Sequence, residues 1–249
     1  MLDDLSKKVI VITGASRGIG AGLAKIYSDK NISLGLCARS SPVEVKTKVV
    51  SKTFDVVDAT AMQAFAQSVV DAFGKIDLWI NNAGTLAPIG PVRDLDVEEF
   101  SRALQVNVIG TFNGTKAFVN HLRKRQDQEE GVLINISSGA ANGGYESWSS
   151  YSASKAAVNR ITESVALEES KTKLRAYAIA PGVVDTDMQA ILRSCSPEQF
   201  PMVGKFLDIK AKNRFNTIDF IAEQFLAIAF DSSYRLESVV VRLPEQNKD

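Results

Sequence analysis

The sequence predicts an α/β fold in which one doubly wound parallel sheet carries helices on both faces, and three observations carry that expectation. Short apolar, β-branched runs alternate with longer segments of helical spacing, the pattern of βαβ units. The chain has 249 residues, 45% hydrophobic and 23% charged, which suffices for a single large core spanning 1–249. A glycine-rich loop follows the first run and opens the first helical segment, which is where an open α/β sheet places a phosphate-bearing ligand.

Taken in order, the runs Val9-Ile10-Val11-Ile12, Ile32-Ser33-Leu34-Gly35-Leu36, Val49-Val50, Leu78-Trp79-Ile80, Val132-Leu133-Ile134-Asn135-Ile136, Ala176-Tyr177-Ala178-Ile179 and Val239-Val240-Val241 make about seven strands. Helical spacing covers roughly 18–29, 58–73, 98–125, 150–170 and 217–230, each long enough for the crossover between parallel neighbours. No internal repeat appears. The charged stretch 123–130 reads as a solvated helix end and loop, and His121 as a residue on a solvated helix face.

Composition removes several functions. Twenty-nine Lys and Arg balance twenty-nine Asp and Glu, so no net field draws the chain onto nucleic acid or an anionic membrane. Two distant cysteines, Cys37 and Cys195, and a single histidine give no metal-ligand spacing, so no metal site is expected. Residues 1–8 include Asp3 and Asp4 where a signal peptide needs an apolar run, and no apolar stretch of membrane-spanning length follows. A cytoplasmic protein with a small-molecule ligand is expected.

Chemistry is then sought just after each strand. In Thr13-Gly14-Ala15-Ser16-Arg17-Gly18-Ile19-Gly20 the glycines let backbone amides approach a pyrophosphate at the positive end of a helix. The second strand ends Cys37-Ala38-Arg39-Ser40, without the carboxylate that would accept bonds from a free ribose 2′-hydroxyl, while Arg39 and Arg17 offer donors to a 2′-phosphate. NADP(H) is therefore expected over NAD(H). Tyr151 and Lys155 stand one helical turn apart on one face, where the cation should lower the phenol pKa toward working pH. Ser138, with Ser137 as its rival, follows the fifth strand, where a hydroxyl can donate to a carbonyl oxygen. Trp148 and Tyr145 either wall the site beside Tyr151, suiting a flat or aromatic ketone, or pack against a second subunit or the segment 196–212.

The spacing G-x-x-x-G-x-G, together with Asn81-Asn82-Ala83-Gly84 after the fourth strand, resembles the short-chain dehydrogenase/reductase family over about residues 7–188. The resemblance implies a Rossmann-like fold, with Asn82, Ala83 and Gly84 along the adenosine side of the cofactor and Asp55 approaching the adenine. It assigns the family serine, thirteen positions before the tyrosine, to Ser138, and to Asn107 a water linking Lys155 to solvent. Pro181, Gly182, Val184 and Thr186 would receive the nicotinamide carboxamide. The reaction implied is carbonyl reduction: Tyr151 protonates the oxygen, Lys155 tunes Tyr151 and holds the ribose, and Ser138 orients the carbonyl. Alternatives are an alcohol dehydrogenase working in the oxidative direction and an NADP(H)-binding redox sensor without turnover.

Trp148-x-x-Tyr151-x-x-x-Lys155, with Gly84 to Pro88 and Pro181 to Met188, looks most like the sepiapterin reductase and benzil reductase branch. In such relatives an insertion corresponding to 186–213 covers the substrate as a lid, and helices 98–125 and 150–170 build a homodimer, with a tetramer as the alternative. The end of the chain, 234–249, departs from the pattern because 234–243 lacks the glycine-rich turn around the last strand.

Overall fold

The computed structural model describes residues 4–127 and 129–246, so Asp3 and the last three residues of the 234–249 segment lie outside the described residues, as does Gln128 in the charged stretch. Strands β1 (Val9–Thr13), β2 (Ser33–Ala38), β3 (Val49–Thr53), β4 (Leu78–Asn81), β5 (Gly131–Ile136), β6 (Leu174–Ala180) and β7 (Val240–Arg242) form one sheet. Their spatial order is β3-β2-β1-β4-β5-β6-β7, and every pair is parallel. The order reverses between β1 and β4, which opens a crevice at their carboxyl ends.

Alternation along β1 explains why both faces are covered. Ile10 and Ile12 face a core that includes Leu23 and Tyr27 of α1 (Gly18–Asp29), and on α8 (Ile218–Phe230) Ile221 and Phe225. Val9 and Val11 face the opposite core, with Phe65 of α2 (Ala59–Phe73), Trp79 and Phe118. The strands therefore read as continuous apolar runs, as strands buried on both sides must. Local chemistry sets the helix ends: Asp58 caps the start of α2 by accepting from Ala61 N–H, and Gly74 ends it with φ +80°.

The segment expected as one helix over 98–125 is divided. It comprises α3 (Val97–Leu104), a π turn over Gln105–Ile109, and α4 (Gly110–Lys124). The π turn holds Asn107 at its middle, fully buried. Helix α5 (Ser149–Glu168) follows β5 through a short 3-10 turn at Gly139–Asn142. Beyond β6, two further helices, α6 (Asp187–Arg193) and α7 (Val203–Ala211), precede α8. No helix among the described residues is long and apolar enough to cross a membrane.

Two surface expectations are corrected at the far end of the sheet. His121 is half-buried, stacked on Phe118, and its Nε2 accepts Ile76 N–H at 3.0 Å. Arg125, expected to be solvated, is 6% exposed and reaches the buried Asp77, whose Oδ2 accepts Val9 N–H at 2.9 Å. Burial, helped by the Arg125 charge and opposed by Asp127, pushes the His121 pKa from 6.5 down to about 4. The unfolded imidazole takes up its proton first as pH falls, so the stability tied to neutral His121 is complete above about 6.5 and is lost on acidification toward 4. His121→Gln keeps an acceptor for Ile76 N–H but cannot titrate. Urea unfolding at pH 7 and pH 4.5 should show a smaller acid loss in this variant than in the wild type.

Candidate active site

The glycine loop is held from β4. Thr13 Oγ1 accepts the backbone N–H groups of Asn82 and Ala83, each at 3.1 Å, and Asn82 Nδ2 donates to Thr13 O and Gly14 O. Gly14 has φ +70°, and a Cβ there would stand 2.7 Å from Ala83 Cα, so only glycine fits. Gly18, the first residue of α1, has φ +57°, and Arg17 before it makes no side-chain cap. The first amides of α1, around Gly18, Ile19 and Gly20, thus remain without a side-chain acceptor beside Ser16. A helix start of this kind suits a pyrophosphate, so the loop fits the cofactor that the sequence implied.

A cavity of about 330 Å³ runs from this loop across the carboxyl ends of β4, β5 and β6. Ile19, Asn82 and Gly84 line one end, while Ser138, Tyr151, Lys155, Pro181, Gly182, Val184 and Thr186 line the rest. Gly182 has φ +83°, and a Cβ there would stand 2.7 Å from Asn216 Nδ2, which donates to Pro181 O at 2.9 Å and to Pro244 O at 3.0 Å. Asn216 thereby ties the end of the chain to β6. No motif marks it in the sequence, since an asparagine before a helix reads as an ordinary loop residue.

The structure separates Ser138 from its rival. Ser137 is buried and its hydroxyl is bound to Asn159 Oδ1 at 2.6 Å. Ser138 lines the cavity together with Tyr151 and accepts Ala140 N–H at 3.2 Å. Lys155, 5% exposed, donates from Nζ to Ile136 O at 2.7 Å and lies 5.7 Å from the Tyr151 ring centre. Burial lowers the Lys155 pKa to about 8. The expected lowering of the Tyr151 pKa is corrected: burial pushes the phenol up, against the pull of the nearby Ser138 hydroxyl. The ammonium is engaged by the end of β5, so the tyrosine is held protonated at neutral pH.

Asn107 clamps the site from behind. Its Nδ2 donates to Thr85 O and Ser154 Oγ, and its Oδ1 accepts Thr85 N–H at 2.8 Å. These bonds fix the chain after Gly84 against α5, next to Lys155. A Cβ on Gly84 would stand 3.2 Å from Asn107 Oδ1 and 3.8 Å from Lys155 Nζ.

Arg17, just before α1, and Arg39, just after β2, are both exposed. Asp55 does not present a free carboxylate: it is ion-paired with Arg102 and accepts Val57 N–H at 3.1 Å. The Val57 and Arg102 bonds, with the nearby charge of Arg39, outweigh burial and hold its pKa below the ordinary value.

Trp148 meets both the cavity and the neighbouring segment. The indole lines the cavity with its ring centre 5.0 Å from that of Tyr151, and it also packs on Phe200 and Phe206 of the 196–212 segment. Tyr145 meets Trp148 edge-on at 5.9 Å. With Leu86, Ile209 and Phe215 these rings form a third apolar cluster over the cavity. Ser137→Ala would leave the buried Asn159 Oδ1 without its donor and should cost about 1–3 kcal/mol in urea unfolding. It leaves the cavity lining by Ser138 in place.

Comparison with known proteins agrees with this geometry. The family model described as short chain dehydrogenase matches residues 8–196. The chain is 34% identical over 199 residues to a benzil reductase ((S)-benzoin forming) of Saccharomyces cerevisiae, covering 75% of both chains. It is 28% identical over 230 residues to the Bacillus cereus protein of the same description, covering 87% of this chain and 91% of that one. The crystal structure of KRED1-Pglu enzyme superposes with a TM-score of 0.78 at 30% identity, over 89% of this chain and 94% of that one. Proteins of this family are oxidoreductases that work on alcohol and ketone groups with a nicotinamide cofactor. With the glycine loop, the β1–β4 crevice and the Ser138, Tyr151 and Lys155 side chains already in place, the chain belongs to the short chain dehydrogenase family.

Proposed function

We propose that the protein is an NADPH-dependent carbonyl reductase in which Tyr151 delivers a proton to the substrate oxygen. The observation that carries this reading is the Tyr151 phenol set at the cavity wall with Ser138 and Lys155 beside it. Bound nicotinamide cofactor supplies the hydride. Ser138 donates to the carbonyl oxygen and sets its direction, and Tyr151 Oη gives up its proton as negative charge develops there. Lys155, charged below about pH 8, stabilises the phenolate left behind and takes the ribose hydroxyls. Asn107 acts as a positioning residue, because its amide groups are spent on Thr85 and Ser154.

The amides at Gly18 to Gly20 would hold the pyrophosphate, while Val184 and Thr186, beside Pro181 and Gly182, would take the carboxamide. The preference for NADPH rests on Arg39, exposed just after β2 where an NAD-binding site would place an acid, with the exposed Arg17 of the glycine loop as a second guanidinium. The α6 and α7 segment within 186–213 serves as the lid, closing Phe200 and Phe206 over Trp148. Ile109 and Phe112, exposed three residues apart at the start of α4, support a homodimer. Free Cys37 and Cys195 accord with the reducing cytoplasm. An aromatic diketone is the first substrate to try, on the strength of the Trp148 and Tyr145 wall and of the benzil reductase relatives.

NADPH consumption with benzil, followed at 340 nm, tests the proposal. Tyr151→Phe should reduce kcat by about 100-fold or more while NADPH binding persists. The wild-type kcat/KM should decline above about pH 8, where Lys155 loses its proton. Tight NADPH binding without turnover of any ketone would favour the sensor reading. Faster alcohol oxidation than ketone reduction at neutral pH would favour the dehydrogenase.

Cofactor choice has its own test. Arg39→Asp should lower kcat/KM for NADPH at least tenfold relative to NADH, equivalent to about 1.4 kcal/mol. An unchanged ratio would remove Arg39 from cofactor recognition.

A further inference from the structure

The cavity mouth carries an uneven set of charges in a chain whose formal charges cancel. Apart from Lys155 at its inner wall, the ionisable cations lining it are Lys205 on α7, Arg214 after α7, and Arg242 at the end of β7, all exposed. Glu245 is the lone carboxylate among the lining residues. Arg214 is already paired with Asp208 at 2.7 Å. Arg242 and Lys205 have no ion-pair partner among the described residues.

Arg242 is placed by the sheet. It pairs in register with Ala180, immediately before Pro181, so its backbone stands at the carboxyl end of the β6–β7 pair. Its side chain crosses toward β5, and Nη1 would lie 3.2 Å from a Cβ built on Gly139. Gly139 directly follows Ser138, and its lack of a side chain leaves room for the guanidinium there. A planar, always-charged donor fork therefore stands at Gly139, the residue after the serine assigned to the substrate carbonyl, on the wall of the same cavity and with no carboxylate bound to it.

We infer that Arg242 selects carbonyl substrates bearing a carboxylate close to the reacting carbon, that is, keto acids with an apolar or aromatic arm. This inference deepens the carbonyl reductase reading and rests on it. The carbonyl oxygen meets Ser138 and Tyr151, the neighbouring carboxylate takes the Arg242 fork, and the arm lies against the Trp148 wall. A carboxylate accepts two parallel N–H bonds from such a fork, whereas an ester or a second neutral ketone cannot match its charge. Lys205 on α7 adds a second positive charge across the same mouth, and the two cations together disfavour a substrate that carries a cation there.

Phenylglyoxylate and its methyl ester make the test, because they share the ketone and the ring and differ in charge. The wild type should reduce the acid with the higher kcat/KM, and added salt should raise the KM of the acid more than that of the ester. Arg242→Met should lower kcat/KM for the acid at least tenfold and for the ester less than threefold. Its NADPH affinity, read by fluorescence, should stay within twofold. Arg242 is exposed and unpaired, so the variant should melt with the wild type.

An ester preference in the wild type, or equal losses for acid and ester in the variant, would overturn the inference while leaving carbonyl reduction standing. A fall in NADPH affinity would also overturn it, by moving Arg242 to the cofactor. Should neither compound nor benzil be reduced, carbonyl reduction fails, and calorimetric binding of phenylglyoxylate to the NADP-loaded protein decides separately. Binding that weakens at least tenfold in Arg242→Met upholds the carboxylate site, and binding that is absent or unchanged removes it.

Discussion

A lysine ammonium removed from water beside a phenol is the constraint around which the rest of the site is built. Lys155 is almost wholly buried, and a buried charge is tolerated only when a polar partner is fixed in advance. The partner is the Ile136 carbonyl, the last of β5. That carbonyl is available because the strand ends there, and the ladder with β6 continues one residue further only through Ser137 N–H to Ile179 O. The position of one cation thus depends on where a central strand stops and on α5 lying across its end.

The surrounding polar residues keep that arrangement from relaxing. Asn107 reaches both Thr85 and Ser154 from the π turn at Gln105–Ile109, whose wider turn displaces the face of α4 relative to α3. Deeper in, Asn81 takes bonds to Thr111 O, Thr115 Oγ1 and Asn135 Oδ1, and Asn135 donates to Thr162 on α5. These buried amides join β4, β5, α4 and α5 below the catalytic edge. Each would be costly if unpaired, so the network favours one register of helices on sheet over its neighbours.

The cover over the cavity is of a different physical kind. Trp148, Phe200, Phe206, Ile209 and Phe215 form an apolar cluster separate from the two that sandwich the sheet. The molecule therefore combines a hydrogen-bonded polar floor, which fixes the reacting groups, with an apolar roof of packed rings. The charged mouth formed by α7 and the end of β7 lies at the boundary between them.

The sequence by itself determined the α/β class, the strand series, the glycine loop, and the pairing of Tyr151 with Lys155. Each of these rests on local periodicity or on spacing along one element. It also singled out Arg39 and the absence of an acid after β2. Tertiary structure decided what depends on distant neighbours. It separated Ser138 from Ser137 through Asn159, gave Asp55 to Arg102, and tied the half-buried His121 and the Arg125 side chain to the start of β4. It placed Trp148 both at the cavity and against Phe200, and set the direction of the Tyr151 pKa through burial. Asn216 and Arg242 lie in segments with no motif, and only the pairing of β7 with β6 brings the guanidinium to Gly139. Burial and long-range charge are sums over the whole fold, and no window of sequence contains them.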